Sequence, residues 1–335
     1  MATRRRPTIH DVAKTAGVSA TTVSDALNGK GRVDASTRER VRRVAGDLGY
    51  RPSRLARGLQ SGRTATLGFM LPHGPAVAGT ENFFGIDFYL ELAVGAAQAA
   101  FAQRHGLTLL PDVVSADELG EFPLDGVIVN DPLVADPRLR GLDELGMAYV
   151  TVERALDRPD HTRWVAADTD AGTRAALDHL AERGAERIAL LTVSLSWAWL
   201  ADTDAAYRRW CAGHAREARV VEVAADHDVA RLPVVSTELL AALADVDAVF
   251  TASDRYAVSV ARALSEAGRK IGEDVLLACG VDSRYAQDDA LSITALHLQP
   301  VALGKAAVEL LLSGTDAPKL LMPELRVRAS SSRRA

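Results

Sequence analysis

The stretch TIHDVAKTAGVSATTVSDALNG, Thr8 to Gly29, sets two short amphipathic segments on either side of a single glycine. Thr8 is placed to cap a first helix, since its hydroxyl satisfies an amide that a helix start leaves open. Ile9, Val12, Ala13 and Ala16 recur at the spacing that gives one apolar stripe. Gly17 ends this helix, Val18 fills a tight turn, and Ser19 caps a second helix whose Val23, Ala26 and Leu27 pack back onto the first. Ala20, Thr21, Thr22, Ser24 and Asp25 are left pointing outward. A third helix opens at Asp34 or Ser36, with Val41, Val44, Ala45 and Leu48 inward, Arg38, Arg40, Arg42 and Arg43 solvated, and Gly49 closing it. The expected product is an all-α, three-helix head whose second helix is free to enter a major groove.

YRPSRLARGLQSGR, Tyr50 to Arg63, follows. Pro52 biases Arg51 toward an extended conformation, Ser53 can cap, and Arg54 to Gln60 form about two helical turns. So short a helix, weakened by Gly58, does not hold alone in water and needs a partner to fold. Leu59 protrudes from this basic segment as an apolar wedge suited to insertion between base steps.

Charge separates the head from the rest. The chain of 335 residues has a formal net charge of −5, yet residues 1 to 65 hold 14 Lys or Arg against 5 Asp or Glu, leaving 25 against 39 in the remainder. The head is built for a polyanion and the body is not. The length suits two or three domains, and 48% hydrophobic with 25% charged residues is ordinary for a globular protein. Cys211 and Cys279 are the only cysteines and read as core thiols in a reducing compartment. No apolar run follows the basic start, and the longest one, Ile188 to Ala201, is too short to span a bilayer, so a cytoplasmic location without membrane contact is expected.

The body alternates strand and helix. ATLGFML, LTLL, DGVIVN and AYVTVE read as strands, with helices from Phe88 to His105, ended by Gly106, and from Pro137 to Leu145. A second series contains the helices Thr173 to Arg183, Ala205 to Ala218 and Tyr256 to Ala267 with the strands RIALLTV, DAVFTAS and DVLLACGVD. Two such series imply two doubly wound parallel-sheet lobes. Open parallel sheets bind ligands beyond the carboxyl ends of their strands, where Asn130, Glu153, Ser253 and Asp282 stand. Trp197 or Trp199 offers a stacking wall, or both belong to the core.

The head, the hinge and DGVIVNDP, VAADTDAGTRAALDHL, RIALL, DAVFTASDRYAVSVARALSEAG and VLLACGVD together resemble the lac repressor (LacI/GalR) family of bacterial transcription regulators, over nearly the whole chain. The resemblance implies that Ala20, Thr21 and Asp25 occupy base-reading places, that Thr8, Thr22, Ser24 and Asn28 face phosphates, and that Leu59 is a minor-groove lever. Arg32, Ser53 and Arg57 are grouped with these DNA-facing residues. For the body it implies a periplasmic-binding-protein-like fold with Asn130, Ser253 and Asp282 at effector-contacting places.

Two positions depart from the family pattern. Asp25 stands where many members carry an arginine used on guanine; a carboxylate there accepts a hydrogen bond from cytosine, pairs with Lys30 or Arg32, or stands in solvent. Thr203 stands where sugar-binding members place an arginine, and a hydroxyl does not replace a bidentate guanidinium.

No catalytic signature is present: GxGxxG and GxSxG are absent, NGKGRVD lacks the P-loop ending, and the eight histidines show no zinc spacing. DHD at Asp226 to Asp228 reads as a solvated loop. The expected organisation is a head over 1–50, a hinge over 51–64 and a body over 65–335, its N-lobe spanning about 65–155 plus 298–316 and its C-lobe about 156–297 plus 317–330. The expected protein is a ligand-responsive repressor, not an enzyme, without cofactor. It binds a palindromic DNA operator as a homodimer, is associated with the nucleoid, and responds to a sugar or other small metabolite. The family's tetramer-forming members end in a leucine-heptad extension, whereas this sequence ends RVRASSSRRA, which favours a dimer. A solute receptor with no DNA role is the alternative, and it leaves the head unexplained.

Overall fold

The computed structural model describes residues 7–29, 31–51, 64–72, 86–110, 115–194, 196–224, 232–288 and 290–332. Lys30, Ser53, Arg57, Leu59, the segment 54–60 and Asp226–Asp228 lie outside them. The chain forms two compact units, Met1–Ala65 and Thr66–Ala335.

In the first unit, α1 (Ile9–Ala16), α2 (Ala20–Asn28) and α3 (Ala35–Asp47) enclose Val12, Ala13, Ala16, Val23, Ala26, Val41 and Ala45. Each helix starts on a side-chain cap: Thr8 accepts from the Asp11 amide, Ser19 from Thr22 and Asp34 from Thr37. Asp34, rather than Ser36, is therefore the cap of α3, and the bonds from Ser36 and Thr37 hold its carboxyl below the usual range. Leu48, expected inward, is exposed, because it is the C-cap of α3 and lies past the last turn that packs.

The second unit holds two six-stranded sheets. The first joins β1 (Thr66–Met70), β2 (Gly106–Leu110), β3 (Gly126–Asn130), β4 (Tyr149–Val152), β5 (Trp164–Ala167) and β11 (Lys319–Leu321) in the order β11-β5-β4-β3-β1-β2, with every pairing parallel. The second joins β6 (Ile188–Ser194), β7 (Arg219–Ala224), β8 (Ala248–Thr251), β9 (Leu276–Cys279), β10 (Thr294–His297) and β12 (Glu324–Arg326) in the order β12-β10-β9-β8-β6-β7. It is parallel except for β12, which runs antiparallel to β10 at one edge.

Alternate strand residues feed separate cores on the two faces, as in doubly wound sheets. In the first lobe, Leu67, Phe69, Ile128 and Val150 pack against α4 (Ile86–Ala102) and α11 (Pro300–Ser313). Met70, Val127 and Val129 pack against α6 (Pro137–Glu144), which neighbours the short α5 (Ala116–Gly120). In the second lobe, Ile188, Leu190 and Phe250 meet α7 (Thr169–Glu182) and α8 (Ala198–Gly213), while Leu191, Val249 and Leu277 meet α9 (Thr237–Ala242) and α10 (Asp254–Glu266). Helices α4 and α11 approach through glycines: a Cβ on Gly95 would stand 2.0 Å from the Val301 carbonyl oxygen, and one on Gly304 2.0 Å from that of Leu92.

The lobe boundary falls later than expected. β5 and β11 both belong to the first sheet, Thr151 pairing with Trp164 and Lys319 with Val165, so 164–167 and 319–321 move from the expected C-lobe to the N-lobe. The reason is that the chain returns from β4 to the same sheet through a loop rather than a helix, and crosses only at Asp168, the N-cap of α7. Several helices also differ in extent, α7 opening at Thr169 rather than Thr173. α4 ends at Ala102 because Arg104 takes a left-handed turn, and Gly106 opens β2 instead of closing the helix. α8 spans 198–213 rather than 205–218, which turns Trp197 into its N-cap and brings Trp199 and Thr203 into its first turns.

Candidate nucleic-acid interface and ligand cleft

On α2, Thr21 and Asn28 are exposed, whereas Ala20, Thr22, Ser24 and Asp25 are half-buried, Ala20 lying against the head core. Several hydroxyls are engaged within the head. Thr22 Oγ1 lies 2.8 Å from Ser19 Oγ, Ser24 Oγ accepts from Asn28 Nδ2 at 3.3 Å, and Thr8 Oγ1 donates to Asp11 at 2.7 Å. Such bonds lock rotamers and leave oxygen lone pairs and the second amide hydrogen of Asn28 for other partners. Arg32 is exposed and, among the described residues, makes no ion pair with Asp25. Instead, the Asp25 carboxylate lies over Gly31, whose φ is +70°: a Cβ there would stand 2.8 Å from Asp25 Oδ2.

In the first lobe, Asn130 closes β3 fully buried. Its Nδ2 donates to the Met70 carbonyl at 2.6 Å, joining the ends of β3 and β1, while Oδ1 has no partner. Arg138 is buried below this point. It binds Asp136 Oδ2 at 2.7 Å and the carbonyls of Asn130 at 3.0 Å and Asp131 at 3.3 Å, and it also donates to the Leu71 carbonyl. One guanidinium thus gathers the carboxyl ends of two strands.

Next to Asn130, Asp131 is buried with φ +43° and accepts a hydrogen bond from the Tyr89 hydroxyl of α4. Burial pushes its pKa up to about 6, against the opposing effects of Tyr89 and Arg138. Glu153 follows β4 with φ +74°, a conformation that costs energy in a non-glycine residue. Burial, then the charges of Asp131 and Asp202, push its carboxyl well above the usual range, and burial with Asp131 raises the Tyr89 hydroxyl.

In the second lobe, Ser253 is the N-cap of α10 but its side chain does not close the cap. Asp254 behind it is buried, with one carboxylate oxygen unpartnered and its pKa raised by burial. Asp282 is held by Arg328, whose Nη2 lies 2.8 Å from Oδ1 and 2.9 Å from Oδ2. Trp197 and Trp199 stack with centroids 5.9 Å apart, and the Trp197 indole nitrogen is buried without a partner. Thr203 is buried and donates to the Trp199 carbonyl at 2.7 Å, so its hydroxyl serves the helix.

Among the described residues, two clefts between the lobes reach Asp282 and Glu153 respectively. One, of about 240 Å³, is lined by Asp87, Phe88 and Glu91 of α4 and by Asp282, Ser283, Arg284 and His297 of the second lobe, with Arg284 bound to Asp87 at 2.9 Å across it. The other, of about 230 Å³, is lined by Glu153, Arg154, Trp164, Asp168, Asp202 and Arg209, with Arg154 bound to Asp202 at 2.5 Å. Asp282 and Glu153 thus line different clefts, and Asn130, Trp197, Thr203 and Ser253 line neither of these two. Among the described residues, no group of three or more His, Cys, Asp or Glu is placed to hold a metal, and no helix is long and apolar enough to cross a membrane.

Sequence reasoning passed over Tyr89, Asp131, Arg138, Asp254 and Arg328. Asp131 and Asp254 were findable, each being the immediate neighbour of a strand-end residue already singled out. Arg328 was not, because 46 residues separate it from Asp282.

Residues 8–53 match the model of bacterial regulatory proteins of the lacI family, and residues 177–331 match a periplasmic binding protein-like domain. The HTH-type transcriptional regulator CelR of Thermobifida fusca is 32% identical over 324 residues, 93% of each chain, and the HTH-type transcriptional repressor PurR of Vibrio atlanticus is 25% identical over 91% of each. Among solved structures, a CelR–cellobiose complex aligns with TM-score 0.68 at 29% identity, covering 97% of this chain and 100% of that one. A lac repressor dimer bound to operator and the anti-inducer ONPF aligns with TM-score 0.75 at 21% identity, covering 98% and 99%, a likeness of fold.

Proposed function

The chain belongs to the lacI family of bacterial regulatory proteins, and from that premise we propose how its head, hinge and cleft divide the work of a ligand-responsive transcription regulator. It is a DNA-binding regulator and not an enzyme. The observation that carries the proposal is the union in one chain of a basic helix-turn-helix head with a two-lobed body of periplasmic-binding-protein type.

The head, 1–50, reads one half-site through α2 in the major groove, with Ala20, Thr21 and Asp25 at the base-facing places. Thr8, Thr22, Ser24, Asn28 and Arg32 face phosphates, and the hinge, 51–64, adds Ser53, Arg57 and the wedge Leu59. The body, 65–335, pairs two copies. Leu90, Val94 and Phe101 of α4 are 48%, 51% and 75% exposed and share one helix face, an apolar stripe that a second copy would cover.

The effector binds between the lobes near Asn130, Glu153, Trp197, Thr203, Ser253 and Asp282. Four arginines near these groups are each paired with a carboxylate: Arg138 with Asp136, Arg154 with Asp202, Arg284 with Asp87 and Arg328 with Asp282. Such surroundings favour a neutral molecule rich in hydroxyl donors over an acid or a phosphate. Cellobiose, bound by the CelR structure, is the first compound to test. The protein acts as a repressor in the cytoplasm, on the nucleoid.

A gel-shift titration with DNA upstream of the protein's own gene tests the reading, with and without cellobiose. A salt-sensitive, sequence-selective shift supports it, and binding no tighter to that DNA than to random duplex defeats it.

A further inference from the structure

The carboxylate of Asp25 belongs to a segment that approaches phosphates, and it sits in the last turn of α2, where the helix dipole disfavours an anion. Among the described residues no cation pairs with it. Arg32 makes no ion pair with it, Lys30 lies outside the described residues, and the surroundings that are described give the carboxylate a packing neighbour. The backbone carbonyl of Asp25 accepts the amide of Gly29, the left-handed cap that ends α2. Its side chain then lies along the next left-handed glycine: a Cβ built on Gly31 would stand 2.8 Å from Oδ2, 3.2 Å from Cγ and 3.4 Å from Cβ of Asp25.

Aspartate has only two side-chain torsions. With Oδ2, Cγ and Cβ of Asp25 all within 3.4 Å of where a Gly31 Cβ would stand, the side chain is turned toward the glycine and fills the space that a side chain at 31 would need. Gly31 is matched to this contact in two ways: it adopts a φ that side chains resist, and it leaves the space that the carboxylate fills.

We propose that Asp25, although it stands at a base-facing place of α2, is a positioning residue, which sets the end of the recognition helix by packing toward Gly31 and makes no hydrogen bond to a base. Direct reading then falls first to the exposed Thr21. The base pair opposite Asp25 is degenerate in the operator, where an arginine would have selected guanine. The inference rests on the reading that α2 enters the major groove.

Operator selection from a randomised duplex pool, with the full-length protein and Asp25→Asn, tests it. The expected result is the same enriched motif from both proteins, with the variant binding every sequence a few-fold tighter at low salt and the gain fading as salt rises. A motif that changes at one position overturns the proposal. If neither protein enriches a motif, the DNA-reading function itself fails, which is a distinct result.

A second arm probes the contact. Gly31→Asn keeps a residue type that tolerates left-handed φ while adding a Cβ against Asp25. It should weaken binding to the selected operator by about tenfold in the wild-type background, and hardly at all when Asp25→Ala has cleared the space. The melting temperature of the head should show the same recovery, which keeps the comparison readable if DNA binding is lost altogether. An equal loss in both backgrounds overturns the proposal.

Discussion

Arg328, in the segment following the last strand, holds both carboxylate oxygens of Asp282 within 2.9 Å of one guanidinium nitrogen, while its other terminal nitrogen donates to the Ile293 carbonyl at 2.7 Å. Beyond it, Ser330 donates to the Leu277 carbonyl at 2.6 Å, and Ser331 lies 2.8 Å from His179 and 2.5 Å from Thr294. The segment 328–331 is thus stitched under a residue that lines one of the interlobe clefts.

Removing Arg328 leaves Asp282 as an uncompensated, nearly buried charge. Arg328→Leu is expected to cost on the order of 3 kcal/mol, read by urea unfolding of the full chain, and Asp282→Leu in the same chain should recover much of the loss. Additive losses would show that the pair is not coupled.

Asp131 predicts a pH dependence. Its pKa is raised from 3.8 when folded to about 6, so between those values the folded chain binds more protons than the unfolded one. The stability it contributes is therefore complete below about pH 4 and lost as pH rises through 6. Asp131→Asn, which can still accept from Tyr89, should gain stability relative to wild type by roughly 2–3 kcal/mol between pH 4 and pH 7.5. Glu153→Gln should move in the same direction, and thermal unfolding across that range checks both.

Gly304→Ala sets a methyl group against the Leu92 carbonyl, a backbone atom with no room to yield. The expected loss is about 3 kcal/mol, with α4 and α11 forced apart, read as a lower melting temperature of the body. An unchanged melting temperature would refute the close approach.

Val94→Glu places a charge in the exposed stripe of α4. Sedimentation at micromolar concentration should give two chains per particle for wild type and one for the variant. A wild-type mass near four chains would end the dimer assignment.

Leu59→Ala tests the hinge. Operator binding should weaken at least tenfold, about 1.4 kcal/mol, while circular dichroism and ligand response of the body stay unchanged. A fully helical 54–60 segment in the free protein would remove the coupled-folding argument.

The sequence by itself determined what local periodicity and capping chemistry can encode. Thr8, Gly17, Ser19 and Asp34 delimit the helices of the head, and the apolar runs at β1, β3, β4, β6, β8 and β9 became the central strands of two sheets. These strands are buried on both faces, so each run is legible without knowing its neighbours. Tertiary structure decided the rest. Trp164–Ala167 and Lys319–Leu321 are too short to declare a sheet, and only pairing, Val165 with Lys319, assigns them to the first lobe. The same limit hid the partners of the cleft. Arg328 and Asp282 meet across 46 residues, and Asp131 takes its raised pKa from burial, against the opposing hydrogen bond of a tyrosine from another element. Desolvation and charge pairing depend on distance in space, which spacing along the chain does not encode.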